Sequence, residues 1–233
     1  MKDDYRIERR TACAALLGVG ASALLAEQSQ AESKSATAQS RMSLKFKNSD
    51  FYSSDGKFDE AAAKAAYFKL MKVADAPVSE YVRENLWVTD FALGRFTEVG
   101  IGGVFWVNDK KWNYASVDIF LLPNQMIPEH WHIALESEGV APKMESWIVR
   151  YGTSYTYGEG KPTPKLGVKI HDREANFITA KKETVLDVGD VTGLLKPLEK
   201  HWQQAGPEGA IITEVSTYHT GDAVRFTNPD IKF

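Results

Sequence analysis

The spacing of apolar residues along the chain changes character near Trp87. Before that point, alanines and larger apolar residues between positions 61 and 71 recur at the spacing of a helix that buries one face. Asp59 precedes this stretch and is a suitable N-cap, so the helix is predicted to begin there. A second short helix is predicted over residues 78–85, with Ser79 near its start.

After Trp87 the pattern becomes one of short strands separated by turns. Turn signals such as Pro123-Asn124, Gly189-Asp190 and Gly206-Pro207 divide the apolar runs. The predicted strands cover residues 100–107, 115–122, 146–151, 166–170, 183–188, 193–195, 210–216 and 223–226. Many short strands at this spacing indicate a mainly β domain, either a barrel or a sandwich.

The first 31 residues have the pattern of a twin-arginine export signal. Arg9 and Arg10 precede an uncharged apolar run at 11–26, and residues 29–31 resemble a cleavage site. The run is shorter than a membrane span requires. We therefore expect export to the periplasm and no stable membrane insertion once the signal is removed. An ordinary secretory signal and an uncleaved anchor are the alternatives, and residues 36–38 form a second possible cleavage site.

The remaining chain divides into three predicted parts. Residues 32–50 are rich in Ser, Ala, Lys and Gln, which is typical of a linker. Residues 51–90 form a predicted helical arm, and residues 91–233 form the strand-rich domain.

Charge and cysteine content narrow the chemistry. The formal net charge is −3, which argues against a nucleic-acid or anionic-membrane surface and fits a small neutral ligand. Cys13 is the one cysteine and lies within the predicted signal. The exported chain would then have no disulfide and no thiolate ligand, so any metal site must use histidine and carboxylate side chains.

The candidate metal ligands begin with His130 and His132. Two positions apart on a strand, their side chains point to the same face and can meet at one cation. Glu145 follows, and His201 lies much later, in a segment that can pair beside the first strand. Three imidazoles and one carboxylate suit a divalent first-row metal such as Mn, Fe or Zn and leave positions open for a substrate.

Other interpretations of these residues remain open from spacing alone. The histidines would also fit a satisfied core or a surface, and Glu136 and Glu138 compete for the position of the carboxylate ligand. His171 and His219 lie in turn-like sequences and are interpreted as solvated loop residues. Trp131 alternates with the paired histidines and is interpreted as a core residue.

Several segments match one family in combination. They are residues 87–100, 127–132, 143–145, 195–201, 209–216 and 222–226. Together they resemble the cupin-type D-lyxose isomerase family, from about Trp87 to Phe233. The resemblance implies a mainly β fold: a single cupin barrel, of the double-stranded β-helix or jelly-roll type, with a short N-terminal helical arm.

The same resemblance implies a function and a ligand set. It implies a metal-dependent aldose–ketose isomerase acting on a free pentose or hexose, of the D-lyxose/D-xylulose or D-mannose/D-fructose type, through an enediolate. It implies His130, His132, Glu145 and His201 as ligands, with Mn as the expected metal and Zn, Fe or Co as alternatives. Cupins are often dimers, so a homodimer is expected by analogy. Residues 134–142 look longer than in the family, and export is unusual for it.

Four further residues are candidates for the chemistry on the sugar. Glu214 lies on a predicted strand and is the candidate base, although it would be an exposed glutamate if it pointed outward. Lys143, beside a presumed ligand, would polarise or protonate a substrate oxygen; otherwise it is a solvated rim lysine. Asp222 and Arg225 match a family segment and would bind sugar hydroxyl groups; otherwise they form a surface ion pair. A hydride shift would need the metal but no base at carbon, and both routes stay open.

Two functions of other classes share the ligand set. An Fe(II) cupin dioxygenase would use the same three histidines and glutamate, and oxygen consumption would distinguish it. A non-catalytic periplasmic cupin that binds sugar or metal would need the ligands but neither Lys143 nor Glu214.

Overall fold

The structure is a computed structural model, and it describes residues 44–233. The predicted export signal, Cys13 and the first part of the predicted linker, residues 32–43, lie outside the described residues. Within 44–233, no helix is long and apolar enough to cross a membrane.

Among residues 44–233, two helices precede the strands; the first begins after the predicted cap, and the second begins two residues later than predicted. Helix α1 spans Glu60–Val73, and the Asp59 carboxylate caps it by accepting the Ala62 N–H at 2.9 Å. Helix α2 spans Glu80–Asn85, with Ser79 as its cap. Short 3-10 turns lie at Asn48–Phe51, Glu136–Glu138, Ala175–Phe177 and Gly221–Ala223.

Helix α1 lies against the sheet through one buried face. That face consists of Ala63, Ala66, Tyr67, Leu70 and Met71. The Tyr67 ring occupies the space that a side chain at Gly102 would need, since a Cβ there would lie 2.6 Å from the ring. The Tyr67 hydroxyl donates to Oε1 of Gln125 at 2.7 Å. The helical arm is thus joined to the sheet by close packing and by a buried hydrogen bond.

In the described part of the chain, nine antiparallel strands form the sheet. They are β1 Trp87–Thr89, β2 Ile101–Asp109, β3 Tyr114–Leu121, β4 Met126–His132, β5 Glu145–Gly158, β6 Lys182–Leu186, β7 Val191–Gly193, β8 His201–Ser216 and β9 Val224–Phe226. The pairing order is β1-β2-β3-β8-β4-β9, and β5 pairs with β8, β6 and β7. Strand β8 is central because β5 lies along one edge while β3 and β4 share the other. The predicted mainly β class is confirmed.

Strand β8 begins at His201, nine residues before the predicted start at 210. The sequence Gly206-Pro207 was interpreted as a turn, but the strand passes through it with an irregularity in its pairing to β5. At that irregularity Gly209 and Gly152 both have positive φ, of 84° and 69°. A Cβ at Gly152 would lie 2.0 Å from the Gly209 carbonyl oxygen, so this close backbone approach requires glycine.

The strand predicted at 166–170 is absent from the described structure. Leu166, Val168 and Ile170 do pack against the core, which explains their alternating pattern. However, the Gly167 N–H donates to the Glu183 side chain at 2.6 Å instead of to a neighbouring strand. The segment is therefore irregular, and the prediction of a strand was wrong.

Candidate metal centre

The four predicted ligands lie together inside the sheet. His130 and His132 are on β4, Glu145 begins β5 and His201 begins β8. One ligand atom from each lies within 4.8 Å of the others. His201 is opposite His130 in the pairing of β4 with β8, as the sequence predicted for that segment. His132, Glu145 and His201 are buried, and His130 is half-buried.

Strand β4 is anchored on the side facing away from the cluster by Glu129. Its carboxylate accepts the Thr179 and Ala180 N–H groups, both at 2.6 Å. It also accepts the hydroxyl groups of Thr179 and Thr227 at 2.7 and 2.6 Å. These four bonds fix the backbone directly before His130 and so restrict where that imidazole can point.

Backbone carbonyls hold two of the imidazoles. The Nδ1 atoms of His130 and His201 each lie 2.9 Å from a carbonyl oxygen two residues earlier, of Pro128 and Glu199. A proton on Nδ1 leaves the lone pair on Nε2, which is the tautomer a metal ligand needs.

The carboxylate of Glu145 faces two of the imidazoles. Its oxygens lie 2.9 Å from Nε2 of His132 and 3.1 Å from Nε2 of His201. Neither Nε2 atom has the geometry of a hydrogen bond, although both are buried. Buried nitrogen and oxygen atoms that converge without forming hydrogen bonds are typical of a cation site. Three imidazoles and one carboxylate suit a divalent first-row metal.

The electrostatics keep Glu145 and His130 in the forms that bind metal. Burial works to raise the pKa of Glu145, but Lys143, His132 and His201 hold it well below its usual range. Burial, followed by His201 and His132, lowers the pKa of His130 well below its usual value. Glu145 is therefore ionised and His130 neutral at neutral pH.

Lys143 and Glu214 form a buried pair beside the cluster. Nζ of Lys143 lies 2.7 Å from Oε1 of Glu145 and 2.5 Å from Oε1 of Glu214. Burial acts to lower the pKa of Lys143, but the two carboxylates more than offset it and raise the pKa. Trp147 donates from Nε1 to the other oxygen of Glu214 at 3.4 Å. Neither residue is the exposed alternative that the sequence left open.

A cavity joins the cluster and this pair. Side chains from β1, β2, β3, β4, β5, β8 and β9 line it. Its walls are largely apolar, with aromatic rings from Trp87, Phe91, Phe105, Phe226 and Phe233. A few polar groups in an apolar cavity of this kind are typical of a site for a small ligand.

The structure does not bring Asp222 and Arg225 to the cavity. Both side chains are exposed. Strand β9 pairs Val224 with His132 and Arg225 with Trp131, so alternation along the strand turns Arg225 outward. Its Nη1 donates to the carbonyl oxygens of Asp222 and Val224, both at 2.8 Å.

His219 differs from its prediction as a solvated loop residue. It is half-buried and lines the cavity, with its ring centroid 6.2 Å from that of His132. Two hydrogen bonds of 2.9 Å between its backbone and the Asn108 side chain fold this segment over the cavity. Burial and the nearby Lys143 lower the pKa of His219 to about 3, so the ring is neutral. Asn108 is 111 residues away, and no local pattern signals the contact.

The remaining candidates lie outside the cavity. Glu136 and Glu138 are exposed, and Glu138 pairs with Lys110 at 3.3 Å, which leaves Glu145 as the carboxylate of the cluster. His171 lies in a turn, where Nε2 is 2.9 Å from the Asn124 carbonyl oxygen. The interpretation of Trp131 as core is wrong, because its half-buried ring lies on the outer face beneath the ammonium of Lys200.

Sequence reasoning also missed Trp87 and Gln203, which line the cavity.

Comparison with known proteins finds sugar isomerases among the relatives in sequence. No model of a known protein family matches the sequence. A D-lyxose ketol-isomerase of Thermofilum sp. (strain ex4484_79) is 32% identical over 173 residues, which are 74% of this chain and 92% of the relative. A D-lyxose/D-mannose isomerase of Thermosediminibacter oceani is 32% identical over 165 residues, which are 71% of this chain and 88% of the relative.

Solved structures share the fold. Ligand-free L-ribose isomerase of Cellulomonas parahominis superposes with a TM-score of 0.59 at 13% identity, covering 78% of this chain and 95% of that chain. L-ribose isomerase of Acinetobacter sp. DL28 in complex with L-ribose gives a TM-score of 0.56 at 14% identity, with the same coverage. At these identities the likeness concerns the fold alone.

Proposed function

The chain belongs to the D-lyxose ketol-isomerase family of cupin-type sugar isomerases, and from this premise we propose that it is a metal-dependent aldose–ketose isomerase whose reaction runs between Glu214, Lys143 and the four-ligand cluster. The observation that carries the proposal is the buried Lys143–Glu214 pair, directly beside Glu145 in one cavity. A protein that only binds metal or sugar has no need of a second buried carboxylate held by an ammonium group, because burying such charges is costly.

His130, His132, Glu145 and His201 are the residues that would hold the metal. A bound divalent cation would act as a Lewis acid on the two oxygens at C1 and C2 of the open-chain sugar. We propose Mn as the physiological ion, with Zn, Fe or Co as alternatives that the same donor set accepts.

Glu214 is the proposed general base. Its carboxylate removes the proton from C2 of the aldose and returns it to C1. The proton on O2 is transferred to O1, so C1 is reduced and C2 is oxidised within one molecule. No outside oxidant or reductant is consumed, and the intermediate is an enediolate.

We propose that Lys143 orients the general base and stabilises the negative charge that develops on the sugar oxygens. Its contact with Oε1 of Glu214 fixes the orientation of the carboxylate. Its ammonium also supplies positive charge where the sugar oxygens become negative. The raised pKa keeps Lys143 charged at neutral pH.

The proposed substrate pair is D-lyxose and D-xylulose, with D-mannose and D-fructose as the hexose pair. The names of the two curated relatives support this choice. We do not propose Asp222 and Arg225 as sugar ligands, since both are exposed and neither lines the cavity.

The test is ketose formation from D-lyxose and D-mannose by metal-loaded protein, with Glu214→Gln alongside. The variant should retain its metal and lose about 10²–10⁴-fold in turnover, the usual effect of removing a general base. Glu136→Gln, an exposed glutamate, is the matched control and should keep full turnover. Oxygen uptake without ketose formation would instead indicate an Fe(II) dioxygenase.

Export and assembly are two further proposals. Arg9 and Arg10 ahead of the apolar run support export through the twin-arginine route to the periplasm. Replacing both with lysine should leave the folded enzyme in the cytoplasm, and unchanged export would contradict the proposal. The expected homodimer rests on analogy, and sedimentation distinguishes it from a single chain.

A further inference from the structure

A groove lies on the outer face of the sheet, where helix α1 ends. Beyond Val73, the last residue of the helix, residues 74–77 form one side of the groove, and strands β2, β3, β5 and β8 form the other. Thr213 lines this groove, whereas its neighbour Glu214 lines the metal cavity. Because side chains alternate along a strand, the groove and the metal cavity lie on opposite faces of the sheet.

The indole ring of Trp106 lines the groove and is 46% exposed. The pairing of β2 with β3 is irregular between Phe105 and Val107, and such a bulge re-aims the side chain at its centre. The indole stacks on the Tyr81 ring with a centroid separation of 5.6 Å and an interplanar angle of 19°. Tyr81 is fixed in turn, since its hydroxyl donates to the Phe105 carbonyl oxygen at 2.8 Å. The exposed indole is therefore oriented before any ligand arrives.

A row of three polar side chains crosses strands β5, β8 and β3 in the same groove. Nε of Arg150 donates to Oγ1 of Thr213 at 3.0 Å, and this hydroxyl donates to Oδ1 of Asp118 at 2.7 Å. Among residues 44–233, both terminal nitrogens of Arg150 and Oδ2 of Asp118 remain without a hydrogen-bond partner. The groove therefore presents N–H donors and a carboxylate acceptor in fixed positions beside an aromatic ring.

The composition of the groove favours a small hydroxyl-rich ligand over a protein partner. The centres of protein interfaces are depleted in charged residues, whereas Asp118 and Arg150 both belong to this lining. A pyranose ring has an apolar face of C–H groups and a rim of hydroxyls that both donate and accept. Its apolar face complements the indole of Trp106, and its neighbouring hydroxyls complement the guanidinium and the carboxylate.

We propose that the groove lined by Trp106, Asp118, Arg150 and Thr213 binds a neutral saccharide in its closed pyranose form. The ring stacks on Trp106, Arg150 donates to hydroxyl oxygens, and Asp118 accepts a hydroxyl proton. This outer-face site goes beyond the proposed function, because it binds closed rings, requires no metal and shares no residue with the metal cavity.

Binding of methyl β-D-glucopyranoside to the metal-loaded protein tests the proposal. The glycoside cannot open its ring, so it cannot present the C1 carbonyl that an isomerase requires. Calorimetry should give a Kd on the order of 1 mM for this single ring. Methyl β-cellotrioside then distinguishes the sources: tighter binding assigns the groove to a glycan chain, and equal binding assigns it to a free sugar. No binding of either glycoside at about 20 mM would overturn the proposal.

Variants of the groove locate the binding. Trp106→Ala should weaken binding of methyl β-D-glucopyranoside at least about tenfold, whereas Trp106→Phe keeps an aromatic face and should stay within about threefold of wild type. Arg150→Met removes the free N–H groups and should also weaken binding about tenfold. Trp112→Ala is the matched control, because its indole is 69% exposed and lies outside the groove. Unchanged affinity in Trp106→Ala or in Arg150→Met would overturn the proposal.

Two further measurements separate this site from the isomerase and from a subunit interface. Turnover of D-lyxose should be unchanged in Trp106→Ala, because the groove lies on the opposite face from the cavity. Absence of ketose in every assay, with glycoside binding intact, would refute the proposed function and support the groove. Sedimentation of Trp106→Ala should match wild type, and dissociation of a dimer in this variant would identify the face as a subunit interface and overturn the proposal.

Discussion

Lys143 donates from Nζ to Oε1 of Glu214 over 2.5 Å, and both side chains are buried. The same ammonium lies 2.7 Å from Oε1 of Glu145, a member of the candidate ligand set. One positive charge therefore stabilises two buried carboxylates with different proposed tasks, one binding the metal and the other transferring a proton.

Removal of the positive charge of Lys143 should destabilise the metal-free protein. Lys143→Met leaves Glu145 and Glu214 buried without their shared counter-charge, and breaking a buried ion pair by removing one partner costs about 3–5 kcal/mol. The free energy of unfolding in urea measures the loss. Lys110→Met is the matched control, since the Lys110–Glu138 pair is about half exposed and worth less than about 1 kcal/mol. Equal stability of the two variants would contradict the role of Lys143.

Each ligand substitution should abolish metal binding. His130→Ala, His132→Ala, Glu145→Ala and His201→Ala each remove one of four converging donors, so purified protein should contain little metal by elemental analysis. His171→Ala should keep normal metal content, because that ring bonds to a carbonyl in a distant turn. Full metal retention in His201→Ala would show that the fourth ligand is wrong.

Metal affinity should fall in acid. Burial works to lower the pKa of His201, but Glu145 and the Glu199 carbonyl outweigh it and raise the pKa above 6.5 in the metal-free protein. Because the pKa of His201 is raised in the folded metal-free protein, protonated His201 stabilises that fold at pH values below its unfolded-state pKa. This stabilisation is lost as the pH rises through the folded-state pKa. Protons therefore compete with the cation below the raised pKa. Calorimetric titration with Mn²⁺ should give tighter binding at about pH 8 than at about pH 6, and equal affinities would contradict the account.

The contact between the arm and the sheet can be tested at Gly102. A methyl group there meets the Tyr67 ring at 2.6 Å, so Gly102→Ala should displace the ring and cost about 1–3 kcal/mol in unfolding free energy. Gly221→Ala is the control, since the added Cβ would lie 3.5 Å from the Phe233 ring, and it should change stability by less than about 0.5 kcal/mol. An unchanged free energy of unfolding in Gly102→Ala would contradict the close packing of the Tyr67 ring on Gly102.

Local rules were enough for the helices and for the shared face of His130 and His132, whereas the choice of Glu145 as the carboxylate rested on the family resemblance. The Asp59 cap is a signal within four residues, and strand alternation alone puts His130 and His132 on one face. The same alternation explains why Arg225 points outward, once the pairing of β9 with β4 is known. That pairing joins segments about 90 residues apart and has no local sequence signal. The match of Asp222 and Arg225 to a family segment therefore did not show which way their side chains point.

Long-range contacts account for the rest of what the sequence could not predict. His219 reaches the cavity because Asn108 holds its backbone, and the two residues are 111 positions apart. Gly206-Pro207 has the composition of a turn, yet pairing with β5 on either side carries the strand through it. In both places tertiary structure overrides the local signal.

The position of solvent deuterium in the product tests the central claim most directly. Metal-loaded protein is incubated with D-lyxose in heavy water, and the product is analysed by NMR. Proton transfer through Glu214 predicts D-xylulose with deuterium at C1, and Glu214→Gln should form almost none. Ketose without deuterium would contradict Glu214 as the base and indicate a hydride shift, and the absence of any ketose would contradict the isomerase itself.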